Sequence, residues 1–176
     1  MKGREVLHSS NSDEWSTPQF VYDWLNAIYT FTLDPCATEE NHKCDKFYTI
    51  ETDGLKQSWS NETVFVNPPY SDIKNWVKKA NDECIYNSAH VVLLIPSRTD
   101  TSYWHDFIMP SAKHIYFLRG RLKFGDSTNS APFPSCIVDF EHFRAVEKHL
   151  SSFPTDTISY SVNIKLIKEK YDRSNR

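Results

Sequence analysis

Residues 91–95 are the feature that most constrains the fold. All of them are apolar, and Val91, Val92 and Ile95 are β-branched. A strand with one wet face alternates apolar and polar residues, whereas a strand covered on both faces is apolar throughout. The run therefore predicts a central strand in a mostly parallel sheet.

Shorter apolar runs predict further strands along the chain. They lie at 31–33, 64–66, 115–118 and 136–138, with weaker candidates at 47–49 and 158–164. Segments with apolar residues at helical spacing lie between several of them, and this alternation is typical of an α/β fold. The strands from residue 115 onward are predicted as antiparallel additions.

Three helices are predicted. The first follows Thr17, a suitable N-cap, with Pro18 at position N1. Its expected buried face is Phe20, Trp24, Ala27 and Ile28. The second follows Ser71 and has a regular apolar stripe. The stripe comprises Ile73, Trp76, Val77, Ala80 and Cys84. The third covers residues 101–109.

The glycine content excludes two common classes of nucleotide-binding protein. The chain has 4 glycines among 176 residues, where an average usage of about 7% predicts roughly a dozen. No G-x-G-x-x-G or Walker A sequence is present, so ordinary dinucleotide-binding and P-loop folds are not expected.

Cysteine usage and hydropathy indicate a reduced, cytoplasmic protein. The 4 cysteines form no C-x-x-C pair, and a chain of this length needs no disulfides. The first ten residues contain no apolar signal region. The longest strongly apolar run, at 91–95, is far shorter than the roughly 20 residues that span a bilayer.

The charge distribution permits an anionic partner. The net charge is −3, which argues against a protein that coats nucleic acid by charge alone. Basic residues nevertheless outnumber acidic ones within 98–123, so this part of the chain could contact an anion.

The sequence Asn67-Pro68-Pro69-Tyr70 directly follows the apolar run 64–66. In open α/β sheets, ligands bind at the carboxyl ends of strands. The two prolines lack backbone donors, which leaves the Asn67 side-chain carbonyl and the Pro68 carbonyl as acceptors. Tyr70 adds an aromatic face. This set suits a planar group that carries an NH2, because two acceptors localise the nitrogen lone pair for attack on an electrophile without a strong base.

These four residues resemble the [D/N/S]-P-P-[Y/F/W] motif of S-adenosylmethionine-dependent amino-methyltransferases. The surrounding chain is similar to the small phage-type, Dam-like DNA adenine-N6 methyltransferases, in order over residues 14–140. Besides the motif, the matching segments are Glu14-Trp15-Ser16-Thr17-Pro18, Leu33-Asp34-Pro35-Cys36-Ala37, Asn41-His42-Lys43-Cys44, Asp53-Gly54-Leu55, Leu94-Ile95-Pro96, Gly120-Arg121-Leu122-Lys123-Phe124 and Ala131-Pro132-Phe133-Pro134-Ser135.

The resemblance implies a fold and a domain plan. The fold is a single-domain, abbreviated Rossmann-like methyltransferase fold with a mostly parallel central sheet and antiparallel C-terminal strands. The methyltransferase domain is expected at 14–164. An N-terminal extension covers 1–13, and a basic, disordered tail covers 165–176.

The resemblance also implies S-adenosylmethionine as the methyl donor. The segment after the first strand, from Asp34 to Ala37, would lie against the donor's methionine part, and Asp53 would accept a hydrogen bond from its adenine amine. The chain departs from the wider superfamily where Thr38-Glu39-Glu40 replaces glycine-rich sequence. The expected donor contacts are Trp15, Thr17, Pro18, Asp34, Pro35, Cys36, Ala37, Phe47, Asp53 and Leu55.

The implied reaction is methylation of adenine N6 in phage or prophage-linked DNA. A base in a duplex must be flipped out to reach such a site. The expected catalytic residues are Asn67, Pro68, Pro69 and Tyr70. The expected contacts to double-stranded DNA are Arg98, Arg119, Arg121, Lys123 and Phe124, together with the loop 125–134.

Other functions share the motif and stay open at this point. They are methylation of cytosine N4, of RNA or of a protein glutamine, and DNA binding without turnover. Cys36, His42 and Cys44 do not have zinc-ligand spacing, so no metal is expected. The oligomeric state is open, with a monomer plausible.

Overall fold

The computed structural model describes residues 15–125, 128–142 and 158–175. The predicted extension 1–13 and Glu14 lie outside the described residues. The helices are α1 (Gln19–Tyr29), α2 (Ile73–Tyr86), α3 (Met109–Ser111) and α4 (Ile164–Ser174). The strands are β1 (Leu33–Asp34), β2 (Lys46–Phe47), β3 (Thr63–Val66), β4 (His90–Pro96), β5 (His114–Arg119), β6 (Ser135–Phe140) and β7 (Ile158–Asn163).

The seven strands form one sheet in the order β2-β1-β3-β4-β6-β5-β7. Pairing is parallel from β2 through β4 and between β5 and β7, and β6 is antiparallel to both of its neighbours. The mostly parallel α/β fold is therefore confirmed. The predicted antiparallel C-terminal strands are confirmed as the pairs of β6 with β4 and with β5, whereas β7 pairs parallel with β5.

Strand β4 lies at the centre of the sheet, as its sequence predicts. Residues 91–95 are fully buried. Val91, Leu93 and Ile95 pack into a core that includes α2, and Val92 and Leu94 pack into a second core that includes α1. The absence of polar residues in the run follows from this cover on both faces.

The two longer N-terminal helices differ in how well their buried faces were predicted. The whole predicted stripe of α2 is buried. In α1 the buried residues are instead Val21, Tyr22 and Leu25, and Ile28 is 59% exposed. The reason is tertiary, since Tyr22 packs edge-on against Phe65 of β3 with ring centroids 5.3 Å apart.

The predicted disordered tail is wrong as far as Ser174, because these residues form α4. The Asn163 side chain accepts a hydrogen bond from Lys165 N at 3.1 Å and caps the helix. Lys168 pairs with Asp172 one turn later. Tyr171 packs against Phe20 of α1 at 6.5 Å between ring centroids, so a contact distant in sequence orders the segment.

The topology places all predicted functional segments at one edge of the sheet. Strands β1, β3, β4, β5 and β7 run in the same direction, so their carboxyl ends share that edge with the first residue of antiparallel β6. In folds of this kind the ligands bind there. Within the described ranges, none of the helices has the length and apolar content to cross a membrane.

Candidate active site

A cavity of about 820 Å³ opens beside the ends of β1 and β3. Its volume lies within the roughly 300–1,000 Å³ range of small-molecule and cofactor sites. Eight of the ten predicted donor contacts line it, and so do Asn67 and Pro69. The eight are Trp15, Thr17, Asp34, Pro35, Cys36, Ala37, Asp53 and Leu55.

Asp34 is the buried carboxylate of this cavity. It ends β1 and is 5% exposed. Burial raises its pKa to about 6, although backbone N–H donors of Lys43 at 3.1 Å and Cys36 at 3.4 Å oppose that rise. The carboxylate is therefore ionised at neutral pH, and its negative charge favours a cationic ligand group.

Gly54 shapes the cavity by letting two loops approach closely. A Cβ atom at this position would lie 1.9 Å from the carbonyl oxygen of Pro35. The Gly54 carbonyl in turn accepts a hydrogen bond from Trp59 Nε1 at 3.0 Å. Glycine is thus required by the packing of the loop against the end of β1, and not simply by a turn.

Asp53 occupies the adjacent position in a left-handed conformation, with φ 52. Its carboxylate forms an ion pair with Lys56 at 2.8 Å, and its Oδ1 accepts from Leu55 N at 3.2 Å. Hydrogen bonding from Lys56 holds the pKa of Asp53 below its usual value. A donor amine at this carboxylate would share it with Lys56.

Two predicted donor contacts do not line the cavity. Phe47 stacks on His42 with ring centroids 4.2 Å apart, because successive side chains of a strand point to opposite faces. Pro18 is the N-cap of α1 instead of N1, and its carbonyl accepts from Val21 N and Tyr22 N.

The structure adds cavity residues to which the sequence assigned no role. Ile50 lines the cavity although it is 90% exposed. An isoleucine within an otherwise polar segment is the one sequence signal that could have indicated this position. Further charged residues at the lining are Glu39, Glu40, Lys43 and Glu51.

Asn67 is held by the segment that precedes α1. Its Nδ2 donates to the carbonyl oxygen of Trp15 and to Thr17 Oγ1, the latter at 2.9 Å. The predicted N-cap residue Thr17 therefore orients Asn67 and does not cap the helix. With its amide nitrogen anchored in this way, Asn67 presents its Oδ1 on the other side, where Tyr70 donates its hydroxyl at 3.3 Å.

Tyr70 belongs to an aromatic cluster made of Trp15, Tyr70, Phe124 and Phe133. Tyr70 lies nearly parallel to Trp15, with an interplanar angle of 17° and 6.1 Å between centroids. Phe133 contacts both rings edge-on, and Phe124 contacts Trp15 edge-on. The cluster joins the motif at 67–70 to the segment between β5 and β6.

The four predicted basic DNA contacts are exposed at the same edge of the sheet as Asn67. Arg98 follows β4, Arg119 ends β5, and Arg121 and Lys123 follow β5. The structure thus brings their positions to the side of the sheet where the motif lies. Of the predicted loop 125–134, residues 126 and 127 lie outside the described residues.

Phe124 is a correction to the predicted DNA contacts. It is 4% exposed and packs in the aromatic cluster, so its ring is not available to DNA in this conformation. The segment alternates, with Leu122 and Phe124 buried and Arg121 and Lys123 exposed. This period of two residues was the available sequence signal.

Cys36, His42 and Cys44 do not form a metal centre. His42 Nδ1 lies 2.9 Å from the carbonyl oxygen of Cys44, whose thiol faces the Tyr22 hydroxyl at 3.6 Å. Burial raises the pKa of the Cys36 thiol well above its usual range. In the part of the chain that the structure describes, no cluster of His, Cys, Asp or Glu could hold a metal ion.

Comparison with known proteins identifies the family. A model of the DNA N-6-adenine-methyltransferase (Dam) family matches residues 5–169. The chain belongs to this family. The predicted resemblance is therefore confirmed, and a family named for DNA adenine-N6 methylation implies a methyl donor.

Two phage relatives of the Dam-family chain support the assignment. The DNA N-6-adenine-methyltransferase of Escherichia phage T1 is 38% identical over 106 residues, which are 59% of this chain and 44% of that protein. The protein of the same name from Haemophilus phage HP1 is 31% identical over 149 residues, which are 80% of this chain and 86% of that protein. The chain thus spans less than half of the first relative and most of the second.

Proposed function

We propose that this chain transfers the methyl group of S-adenosylmethionine to N6 of an adenine flipped out of double-stranded DNA. One observation carries the proposal: Asn67 lines the same 820 Å³ cavity as Asp34 and Asp53. The residue proposed to accept hydrogen bonds from the target amine and the predicted contacts to the methyl donor therefore line one cavity.

The lining fits the proposed donor. S-adenosylmethionine has a cationic sulfonium, an ammonium group and one carboxylate, so it is a net cation. The cavity is lined by five acidic residues and, among the described residues, one basic residue. When bound, the donor supplies an electrophilic methyl group on its sulfonium. A surplus of carboxylates at the lining favours such a cation over a neutral or anionic molecule.

The motif residues act on the adenine. Oδ1 of Asn67 and the carbonyl oxygen of Pro68 accept hydrogen bonds from the N6 amine, and these bonds localise the lone pair of the nitrogen. The ring of Tyr70 stacks on the flipped base. Pro69 holds the turn rigid. The new bond joins N6 to the methyl carbon, the sulfur–methyl bond breaks, and the surplus proton leaves N6 for water.

The edge of the sheet supplies the proposed DNA contacts. Arg98, Arg119, Arg121 and Lys123 are exposed there, and such side chains bind phosphates or read guanine edges. The proposed methyltransferase domain is 14–164, acting in the cytoplasm of a bacterial host.

The experiment is transfer of radiolabelled methyl from S-adenosylmethionine to unmethylated duplex DNA, followed by nucleoside analysis. RNA and bulk protein serve as parallel acceptors, and Asn67→Ala serves as the inactive control. Label in N6-methyladenine that Asn67→Ala abolishes supports the proposal. Label in N4-methylcytosine, RNA or protein would move the substrate to another class, and no label in any acceptor would contradict the activity.

A further inference from the structure

Lys43 is a positively charged residue in an otherwise acidic cavity. Within the described residues it is the one basic residue at the lining, beside Asp34, Glu39, Glu40, Glu51 and Asp53. It belongs to the segment Asn41-His42-Lys43-Cys44, to which the sequence assigned no role. A ligand that carries an anionic group besides its cationic ones would give this lysine a charged partner.

The fold holds Lys43 at a defined place in the cavity wall. Its backbone N–H donates to Asp34 Oδ2 at 3.1 Å, which ties the residue to the end of β1. Its ammonium Nζ donates to Gln19 Oε1 at 2.8 Å in the first turn of α1. The ammonium therefore lies against Gln19, two residues after Thr17, which lines the cavity.

The ammonium of Lys43 lacks a full counter-charge. Its direct partners are a neutral amide and the ring of Tyr22, with Nζ 5.9 Å from the ring centroid. Within the described ranges, no carboxylate lies within ion-pair distance of it. Burial lowers the pKa of Lys43, and the charges of Asp34 and Asp23 oppose that change. A half-buried ammonium of this kind gains most from a carboxylate brought by a ligand.

From this placement we infer that Lys43 binds the α-carboxylate of the methyl donor and so fixes the orientation of the donor in the cavity. The inference rests on the proposed function. The methionine end of the donor then lies at Lys43 and the start of α1. Its adenine end lies at Asp53, Leu55 and Ile50, on the other side of the cavity.

The test compares two ligands that differ only in this carboxylate, S-adenosylmethionine and its decarboxylated analogue. Dissociation constants are measured by calorimetry for the wild type, Lys43→Met and Lys43→Arg. Lys46→Met is the matched control, because Lys46 is a nearby exposed lysine that pairs with Glu62 and does not line the cavity.

The acidic lining sharpens the comparison. The decarboxylated analogue carries one more net positive charge, so the carboxylates alone would favour it. We expect the wild type and Lys46→Met to prefer the intact donor. We expect Lys43→Met to lower that preference by about tenfold to a hundredfold, as for loss of one charge-assisted hydrogen bond, and Lys43→Arg to retain most of it.

Each remaining outcome has a defined meaning. A preference that is the same in Lys43→Met and wild type overturns the inference, and so does a wild type that binds the decarboxylated analogue more tightly than the intact donor, even if every variant fails to fold. In both cases, DNA methylation by the wild type would still support the proposed function. A wild type that binds neither ligand and methylates no DNA overturns the proposed function together with the inference.

Discussion

The side-chain amide of Asn67 donates a hydrogen bond of 2.9 Å to the hydroxyl of Thr17, a residue 50 positions earlier in the chain. The contact joins the end of β3 to the segment before α1. It holds the amide nitrogen of Asn67 at Thr17, so that Oδ1, the oxygen proposed to accept a hydrogen bond from adenine, faces the other way. Thr17 is therefore expected to position Asn67 without touching the base.

Thr17→Val is expected to lower kcat by about tenfold, because a methyl group replaces the hydroxyl that orients Asn67. Thr17→Ser keeps the hydroxyl and should retain most of the activity. Steady-state methylation of duplex DNA measures both. Full activity in Thr17→Val together with a loss in Thr17→Ser would show that the methyl group of Thr17 matters and that the hydrogen bond does not.

Tyr70→Ala and Tyr70→Phe separate the ring from its hydroxyl. Loss of the ring should reduce kcat/KM for DNA by about 10- to 100-fold, since stacking of a base on an aromatic side chain contributes about 1–3 kcal/mol. Tyr70→Phe keeps the ring and removes the 3.3 Å bond to Asn67, and it should cost about fivefold. If both variants lose the same activity, the proposed stacking role is wrong.

The affinity for S-adenosylmethionine should depend on pH through Asp34. Its pKa of about 6 means that the carboxyl group is charged above that pH and gains a proton below it. Protonation removes a negative charge that attracts the cationic donor, so the dissociation constant should rise as the pH falls from 7.5 to 5. Calorimetric titrations across this range measure the change.

Two variants control for other titrating groups. Asp34→Asn should bind the donor more weakly and with a flatter pH profile. Glu62→Gln changes a carboxylate that pairs with Lys46 away from the cavity and should keep the wild-type profile. A profile for Asp34→Asn as steep as that of the wild type would assign the titration to another residue.

Arg121→Ala combined with Lys123→Ala should weaken DNA binding and flatten its salt dependence. Each lost phosphate contact lowers the slope of log K against log salt by about 0.9, so the double variant should lose up to about 2 units. Fluorescence anisotropy at several salt concentrations gives the slope. Lys78→Ala on α2, where Lys78 pairs with Asp82, should leave it unchanged, and an unchanged slope in the double variant would remove these residues from the DNA interface.

Asp139 should contribute stability at neutral pH. It is 2% exposed and accepts hydrogen bonds from His90 at 2.7 Å and from His114 at 2.9 Å. Burial raises its pKa, but these bonds outweigh that effect and the pKa lies below its usual value. The stability is therefore present above the unfolded-state pKa of about 3.9 and is lost as the pH falls through the lower folded-state value.

Urea unfolding of Asp139→Asn tests this stability. At pH 7 the free energy of unfolding should fall by about 2–4 kcal/mol, and the difference from wild type should shrink as the pH falls below about 4. Asp82→Asn, on the surface of α2, should change little at either pH. A deficit of equal size at pH 3 and pH 7 would contradict the assigned charge.

Elements whose pattern depends on one period alone could be predicted from sequence. Strand β4 and helix α2 are examples, because the residues buried in each are those that the spacing of its apolar residues predicts. The buried face of α1 could not be predicted, since it depends on the contact of Tyr22 with Phe65. Helix α4 was missed for the same reason, because its order depends on packing against Phe20.

The candidate site divides in the same way. The roles of Asn67 and Tyr70 could be proposed from the sequence because the motif carries its own chemistry, and they stay predictions. Lys43 could not, because its place depends on a loop that folds back onto Asp34. In the sequence Gly54 cannot be told from an ordinary turn glycine, because the need for glycine comes from the close approach of the Pro35 carbonyl.

Trp15 has one consequence for the order of events at this site. Its ring lies in the wall of the cavity and also in the aromatic cluster, where it contacts Tyr70, Phe124 and Phe133. One side chain therefore belongs to both the proposed donor and DNA surfaces. We expect a shift of this ring that one ligand causes to change the affinity for the other, and thermodynamic linkage makes such an effect equal in both directions. The proposed donor and DNA are therefore expected to be coupled ligands, each able to tighten or loosen the other's complex.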